Sequence, residues 1–466
     1  MSKRIYLCLA HMSEEGLEQK YVKEAFDTNW VVPLGPNVNG FEDDLKAFVC
    51  ERQGSAAGSA SAGAVQVSDT ACSADAAVVS AGAAGQQAPL EREVVALSAG
   101  TAAVHLGLIA CGVQAGDEVI VQSFTFCASS HPVTYLGAKP VFVDSEPDTW
   151  NMDPELLEEA IKDRIARTGR APKAIVPVAL YGMPYDCGRI MAVADKYGIP
   201  VLEDAAEGFG SRYKGQVLGT FGRFGALSFN GNKMITTSGG GALICPDREA
   251  WQTVMMYATQ YRESYPYYQH EHIGYNYRMS NICAGIGRGQ MTVAPAHIAH
   301  HRHIAELYEA AFASVPGVTF HKGPDFAAEG SNYWLNTITL DPSLRVKGQD
   351  KAYAQIVTGA VGGAAGVIHV ASSAHTDCEP NANVEAMRVG LDAAGIEARP
   401  VWKPMHKQPV YLDAPSYLRP CNLFGTPEAS VSEAVFKVGM CLPSGPMVSD
   451  EDVAYIVETI KSLIEA

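Results

Sequence analysis

From Ser228 to Gly241 the chain reads SFNGNKMITTSGGG, with a single lysine, Lys233, between an apolar run and a run of glycines. A lysine so placed has three possible jobs: a point charge on a phosphate, a solvated turn residue, or an amine that reacts with a carbonyl. The third job needs a neutral amine, which desolvation at the end of a buried strand or a neighbouring cation favours. About thirty residues earlier, IPVLEDAAEGFGS ends an apolar run on Glu203 and Asp204. Parallel strands in α/β proteins collect ligands at their carboxyl ends, so a carboxylate there either caps the next helix or faces a cation such as a protonated ring nitrogen. Earlier still, VVALSAGTAAVH passes from an apolar run through small residues into a helical stretch. Its turn, Gly100, Thr101 and Ala102, is either an ordinary strand-to-helix connection or a cradle of free N–H groups at the positive end of a helix, which suits phosphate. It is neither a Walker sequence nor G-x-G-x-x-G, so it points to neither an NTPase nor a dinucleotide enzyme.

An aromatic segment, SFTF, carries Phe126 after the next apolar run. A phosphate turn, an aromatic, a strand-end acid and the Ser-x4-Lys of Ser228 and Lys233 would serve the phosphate, ring face, ring nitrogen and aldehyde of pyridoxal 5'-phosphate. The elements that must position these groups are legible as VVALS, DEVIVQS, KPVFVDS, AIVPVAL, IPVLED, GALSFN and GALICP, with helical stretches between them. Such continuous apolar runs predict an α/β domain whose seven-stranded, mainly parallel sheet is covered on both faces, over residues 90–290. DPELLEEAIKD reads as one covering helix, with Asp153 as N-cap and Pro154 in the first turn. Residues 291–466, together with the N-terminal segment 1–50, are expected to form a smaller α+β domain that ends in an amphipathic helix capped by Ser449. Residues 51–89 are rich in Ala, Gly and Ser, which predicts a flexible insertion projecting into water. A second Gly/Ala-rich insertion covers about 345–382, where VIHVA suggests partial order.

The formal charge of −16 over 466 residues argues against a nucleic-acid surface and requires any anionic substrate to be held by local groups. The eleven cysteines form no C-x-x-C pair and read as reduced thiols of a cytoplasmic protein. No apolar stretch is long enough for a membrane span or a signal segment. HIAHHRHIAEL gathers His297, His300, His301 and His303 at helical spacing. Without cysteines nearby or an H-E-x-x-H pair, these read as a solvated, partly positive helix face, and no metal is expected.

With these motifs the sequence resembles the DegT/DnrJ/EryC1/StrS family of sugar aminotransferases, which are fold-type-I enzymes dependent on pyridoxal phosphate. The resemblance is carried by SAGTAAVHLGL, SFTFCAS, VFVDSEPDTWNMDPELL, EDAAEGFGS, SFNGNKMITTSGGG, GYNYRMSNICAGIGRGQ and GIEARPVWKPMHKQPVY, and it covers nearly all of the chain outside the two insertions. It implies that Lys233 is the lysine that bonds to the cofactor and shuttles the proton, that Asp204 pairs with the ring nitrogen, and that Phe126 stacks on the ring. It further implies Glu207 near the ring hydroxyl, and Gly100, Thr101, Ala102 and Ser228 at the phosphate. In this family the GYNYR loop reaches a neighbouring subunit's phosphate, which implies a homodimer and nominates Asn276 first and Arg278 second. The implied reaction moves an amino group from L-glutamate to a nucleotide-linked keto-sugar, in amino-sugar, glycan or capsule biosynthesis. DTNWVVPLGPNVNGFE, WNMDPE and RPVWKPMH resemble the bacillosamine-type branch, which acts on UDP-linked 4-keto-6-deoxy-N-acetylhexosamines. That branch nominates Arg399, Trp402, Lys403 and His406 as substrate contacts, each equally open to an interdomain role. Other nucleotides, a 3-keto sugar or a non-catalytic regulatory protein are the alternatives. Lys233 stands against a related dehydrase, which has histidine there.

Overall fold

The computed structural model describes residues 4–51, 90–352 and 378–465. Most of the first insertion (52–89) and the VIHVA part of the second (353–377) therefore lie outside the described residues. In chain order the strands are β1 (Glu93–Leu97), β2 (Glu118–Gln122), β3 (Lys139–Val143), β4 (Ala174–Val176), β5 (Leu202–Asp204), β6 (Arg212–Tyr213), β7 (Gln216–Val217), β8 (Phe224–Ser228), β9 (Gly241–Cys245), β10 (Val318–Phe320), β11 (Asn336–Leu340), β12 (Arg399–Pro400), β13 (Ser416–Tyr417) and β14 (Gly439–Leu442). The helices are α1 (Leu17–Asp27), α2 (Pro36–Cys50), α3 (Gly100–Ala110), α4 (His131–Tyr135), α5 (Pro154–Thr168), α6 (Cys187–Tyr197), α7 (Arg248–Ala258), α8 (Asn281–Phe312), α9 (Asp325–Ala328), α10 (Ala382–Ala393), α11 (Val431–Val438) and α12 (Asp450–Leu463).

Each of the seven apolar runs supplies a strand of one sheet. Two four-stranded ladders, β1-β9-β8-β5 and β13-β3-β2-β4, are joined by parallel bridges from Ile175 to Val201 and from Val178 to Asp204. Only β9 runs against its neighbours, pairing antiparallel with both β1 and β8. The two-residue β13, from the C-terminal part of the chain, adds a further parallel strand beside β3. The strands read as unbroken apolar runs because helices bury them on both faces, and every residue of β8 and β9 is buried. Asp204 pairs with Ala226, two residues before Ser228, so the last residues of β5 and β8 emerge at one edge of the sheet.

The second lobe is an antiparallel sheet in the order β10-β11-β14-β12, whose Ile338, Leu340, Met440 and Leu442 share a core with α10, α12 and the end of α8. Two expectations for the domain plan need correction. The 290/291 boundary falls inside the 32-residue helix α8, which serves both lobes. The N-terminal segment does not join the small lobe as a whole, because the apolar stripe of α2 (Val38, Phe41, Leu45, Val49) is buried in the large-lobe core. Phe41 there meets Phe229 edge-on at 5.2 Å. Of this segment, Ile5 reaches the small lobe through its bridge to Ile396.

Candidate active site

β1 delivers the chain to Ala99, and α3 begins at Gly100 with no side chain capping it. The first intrahelical bond runs from Ala103 N to Ala99 O, which leaves the N–H groups of Gly100, Thr101 and Ala102 for an outside acceptor. Ser228 closes the other side of this turn. A Cβ on Gly100 would lie 2.7 Å from Ser228 Cβ, so only glycine lets the two elements approach this closely. A cavity of about 220 Å³ opens here, lined by Gly100, Thr101, Asp204, Glu207, Ser228 and Lys233 among others. Ala102 does not line it, since its methyl group is packed in the core under α3.

Asp204 ends β5 almost wholly buried. Ser129 Oγ donates to its Oδ2 at 2.6 Å, the Ala206 N–H donates to its Oδ1 at 3.1 Å, and Ser129 is itself held by Thr125 Oγ1 at 2.8 Å. Burial pushes the Asp204 carboxyl above its ordinary range, while these donors and the charge of Lys233 pull the other way. Glu203 beside it faces away and accepts from Tyr185 Oη and the Gly219, Phe221 and Gly222 amides, so it is a structural carboxylate. Lys233 Nζ sits 3.5 Å from Glu207 Oε1, whose other oxygen accepts the Tyr181 N–H at 2.7 Å. Burial raises the Glu207 carboxyl and Lys233 opposes that rise. Phe126 is half-exposed at the mouth, 5.4 Å from Trp402.

The other expected site residues are distributed differently. Trp402 lines the cavity, with an indole Nε1 that is buried and unpartnered among the described residues. Lys403 lies in an adjoining groove of about 360 Å³ that shares Phe126 and Trp402. Arg399 is turned to Glu397 at 2.6 Å, and the buried His406 bonds through Nδ1 to Ser123 Oγ at 2.6 Å; neither lines the cavity. Asn276 is exposed on its loop and also lies outside the cavity of its own chain. Arg278 points inward, donating to Ala96 O at 3.0 Å and pairing with Glu42 of its own chain. Sequence reasoning missed Ser129 and Trp334, whose ring centre lies 4.0 Å from Lys233 Nζ. An isolated serine and a tryptophan about a hundred residues from the lysine carry no local signal for either role.

The expectation of a solvated histidine face on α8 is incorrect for two of its members. His297 and His301 are buried, and their Nδ1 atoms donate to Met234 O at 3.3 Å and to Tyr333 O at 3.1 Å. The loops around Lys233 and Trp334 cover this side of the helix, and only His303 is exposed, pairing with Asp450. Among the described residues no group of three or more His, Cys, Asp or Glu side chains is placed to hold a metal ion. Burial pushes His301 from 6.5 down to about 3. Between those values the unfolded chain binds a proton that the folded chain refuses, so stability is full above the unfolded value and is lost as pH falls through the window. We expect the melting temperature to drop more steeply from pH 7 to pH 4 in the wild type than in His301→Asn, which keeps a donor for Tyr333 O without a titrating ring. The contribution at stake is about 1.4 kcal/mol per pH unit. Parallel melting curves for the two proteins would refute this assignment.

An uncapped helix start faced by a strand-end serine suits a phosphate, the buried Asp204 suits a cationic ring nitrogen, and Lys233 in the same cavity suits an aldehyde. A mainly parallel sheet of seven strands, extended by the short β13 and presenting these groups at one edge, defines a pyridoxal phosphate-dependent enzyme of fold type I. A model of the DegT/DnrJ/EryC1/StrS aminotransferase family matches residues 90–365 and 349–461, and the chain belongs to that family. It is 39% identical over 463 residues to EpsN of Bacillus subtilis (strain 168), assigned by name as a pyridoxal phosphate-dependent aminotransferase, covering 99% of this chain and 96% of that one. It is 31% identical over 455 residues to the GDP-perosamine synthase of Escherichia coli O157:H7, covering 98% of each. A crystal structure of a DegT DnrJ EryC1 StrS aminotransferase from Brucella abortus superposes with a TM-score of 0.71 at 24% identity, covering 96% of this chain and 95% of that one. The protein is a pyridoxal phosphate-dependent sugar aminotransferase. No helix among the described residues is long and apolar enough to cross a membrane.

Proposed function

We propose that this aminotransferase moves the amino group of L-glutamate to a nucleotide-linked 4-keto-6-deoxy sugar, with a UDP-linked N-acetylhexosamine as the preferred acceptor. The observation that carries the catalytic part is the convergence of Lys233, Asp204, Ser228 and the uncapped start of α3 on one cavity. When bound, pyridoxal phosphate supplies an electron sink that makes the carbon next to the transferred nitrogen acidic. Lys233 would hold the cofactor by its Nζ and then carry the proton at that same atom, reaching both carbons because its stem is flexible. Asp204, its direction fixed by two hydrogen-bond donors, would face the ring nitrogen as a carboxylate. The free N–H groups of Gly100, Thr101 and Ala102 at the start of α3 and the Ser228 hydroxyl would hold the phosphate, with Phe126 and Trp402 at the mouth of the cavity. Glu207 keeps Lys233 from swinging away, since it is the nearest carboxylate to Nζ.

Trp402, in the wall of the cavity, and Lys403, in the adjoining groove, are the groups on this reading for the sugar and its diphosphate. A homodimer fits the same reading, because Asn276 is exposed beside the exposed side chains of Tyr265, Tyr267, Tyr268 and Ile273 rather than in its own cavity. The free thiols of the described cysteines suit the reducing cytoplasm, where nucleotide-sugars are made. UDP rests on the sequence resemblance, and the relative named for GDP-perosamine makes GDP the second reading. Turnover with L-glutamate should be measured against UDP-, GDP- and TDP-linked 4-keto and 3-keto sugars. We expect the UDP-linked 4-keto-N-acetylhexosamine to show the highest kcat/KM, and a higher value for any GDP- or TDP-linked sugar would overturn the UDP assignment.

A further inference from the structure

We propose that Trp334 is a positioning residue for Lys233, whose ammonium rests on the indole face beside Glu207 whenever the lysine is not bonded to the cofactor. The inference rests on Lys233 being the catalytic lysine and adds the group that holds it between bonds. Trp334 is buried to 1% exposure in the wall of the cavity. Its ring centre is 4.0 Å from Lys233 Nζ, and its Nε1 donates at 2.7 Å to the carbonyl of Asn232, the residue before the lysine. One side chain therefore holds the lysine at both ends, by its backbone and by its charge.

The surroundings restrict this tryptophan from several directions. Its backbone N–H donates to Asn332 Oδ1 at 2.8 Å, and Asn332 Nδ2 donates at 2.9 Å each to the carbonyls of Glu207 and Phe209. The carboxylate and the indole that flank Nζ are thus tied together by a single asparagine. Gly182, at φ +90°, makes room for it, because a Cβ there would lie 1.8 Å from Asn332 Oδ1. The two buried histidines of α8 complete the frame: His297 holds the carbonyl of Met234, one residue after Lys233, and His301 that of Tyr333, one residue before Trp334. A lysine carries a compact charge on a flexible stem, so without such a wall its ammonium would sample much of the cavity. The indole face attracts a cation electrostatically and does nothing comparable for a neutral amine, which an aliphatic side chain of similar size cannot imitate.

The test uses full-length enzyme loaded with pyridoxamine 5'-phosphate, in which Lys233 is unattached, and a trace acylating reagent that modifies neutral amines. Lys233 modification is followed by peptide mass spectrometry from pH 7 to pH 12, in short pulses, in the wild type, Trp334→Phe and Trp334→Leu. We expect Lys233 in Trp334→Leu to react about 2- to 30-fold faster than in the wild type near neutrality. Trp334→Phe should fall between them, since it keeps a ring but loses the bond to Asn232. The ratio should shrink toward one only at pH values high enough to leave the amine neutral in all three proteins. Equal rates, or a ratio that does not change with pH and so reports mere access, would overturn the inference. Borohydride trapping of pyridoxal phosphate on wild-type Lys233 separates the two readings: no trapping removes the catalytic assignment itself, whereas trapping with pH-independent ratios removes the role of Trp334.

Discussion

Lys233→Ala is expected to lower transamination by about 10⁴-fold or more and to abolish the borohydride-reducible bond between protein and cofactor, with the fold intact. Lys233 is the one lysine among the residues lining the cavity, and every proton movement assigned to the chain passes through its Nζ. No neighbouring side chain can replace it, because Glu207 is pulled toward the Tyr181 amide and Asp204 is held by Ser129 and Ala206. The substitution leaves Glu207 buried without its cation, but burial already raises that carboxyl, and it escapes the cost by taking up a proton. Lys233→Arg is the companion variant. It keeps a cation against Glu207 and so keeps thermal stability near the wild type, yet it cannot form the reducible bond. Single-turnover conversion with pyridoxamine phosphate, borohydride trapping and a melting curve read the three consequences separately. A Lys233→Ala enzyme that retains even a tenth of wild-type kcat would remove the lysine from the mechanism.

How much of this site the sequence discloses follows from where each residue's partners lie. Gly100, Asp204, Ser228 and Lys233 stand at or just beyond the ends of apolar strands, and strand ends of one parallel sheet converge, so local patterns are enough to bring them to one place. The seven strands are visible for the same reason, since burial on both faces leaves unbroken apolar runs. Arg278 looks available in the sequence because its partner, Glu42, is 236 residues away on α2. His297 and His301 look solvated because a helical wheel shows which residues share a face but not that two loops cover it. Tyr181 adopts φ +54°, and its amide reaches Glu207; neither the strain nor the bond has a signature in LYGMP. Ser129 and Trp334 belong to the same group, common residue types given a task by contacts distant in sequence.

Asp204→Asn is expected to cost about 10²- to 10³-fold in kcat while leaving the melting temperature within a few degrees of the wild type. The substitution preserves shape and one acceptor oxygen for Ser129 or Ala206, so it isolates the charge. In the wild type, desolvation disfavours the carboxylate, and the Ser129 hydroxyl, the Ala206 amide and Lys233 keep it available. On the proposed reading a cationic ring nitrogen is the partner that would repay this burial, and an amide cannot supply the opposing charge. Ser129→Ala should reproduce a weaker version of the same defect. It removes the 2.6 Å bond that aims the carboxylate without removing the carboxylate, so a loss of about tenfold in kcat is expected, with the activity profile displaced toward higher pH. The direction follows from the physics: losing a donor to the charged form raises the carboxyl further, so the active anion disappears at a higher pH as the solution is acidified. The two variants are therefore ordered, Asp204→Asn below Ser129→Ala and both below wild type, in kcat and in affinity for pyridoxamine phosphate. Full activity in Asp204→Asn would show that the ring nitrogen has no need of a charged partner in this enzyme, and Asp204 would revert to the cap of the turn that follows β5.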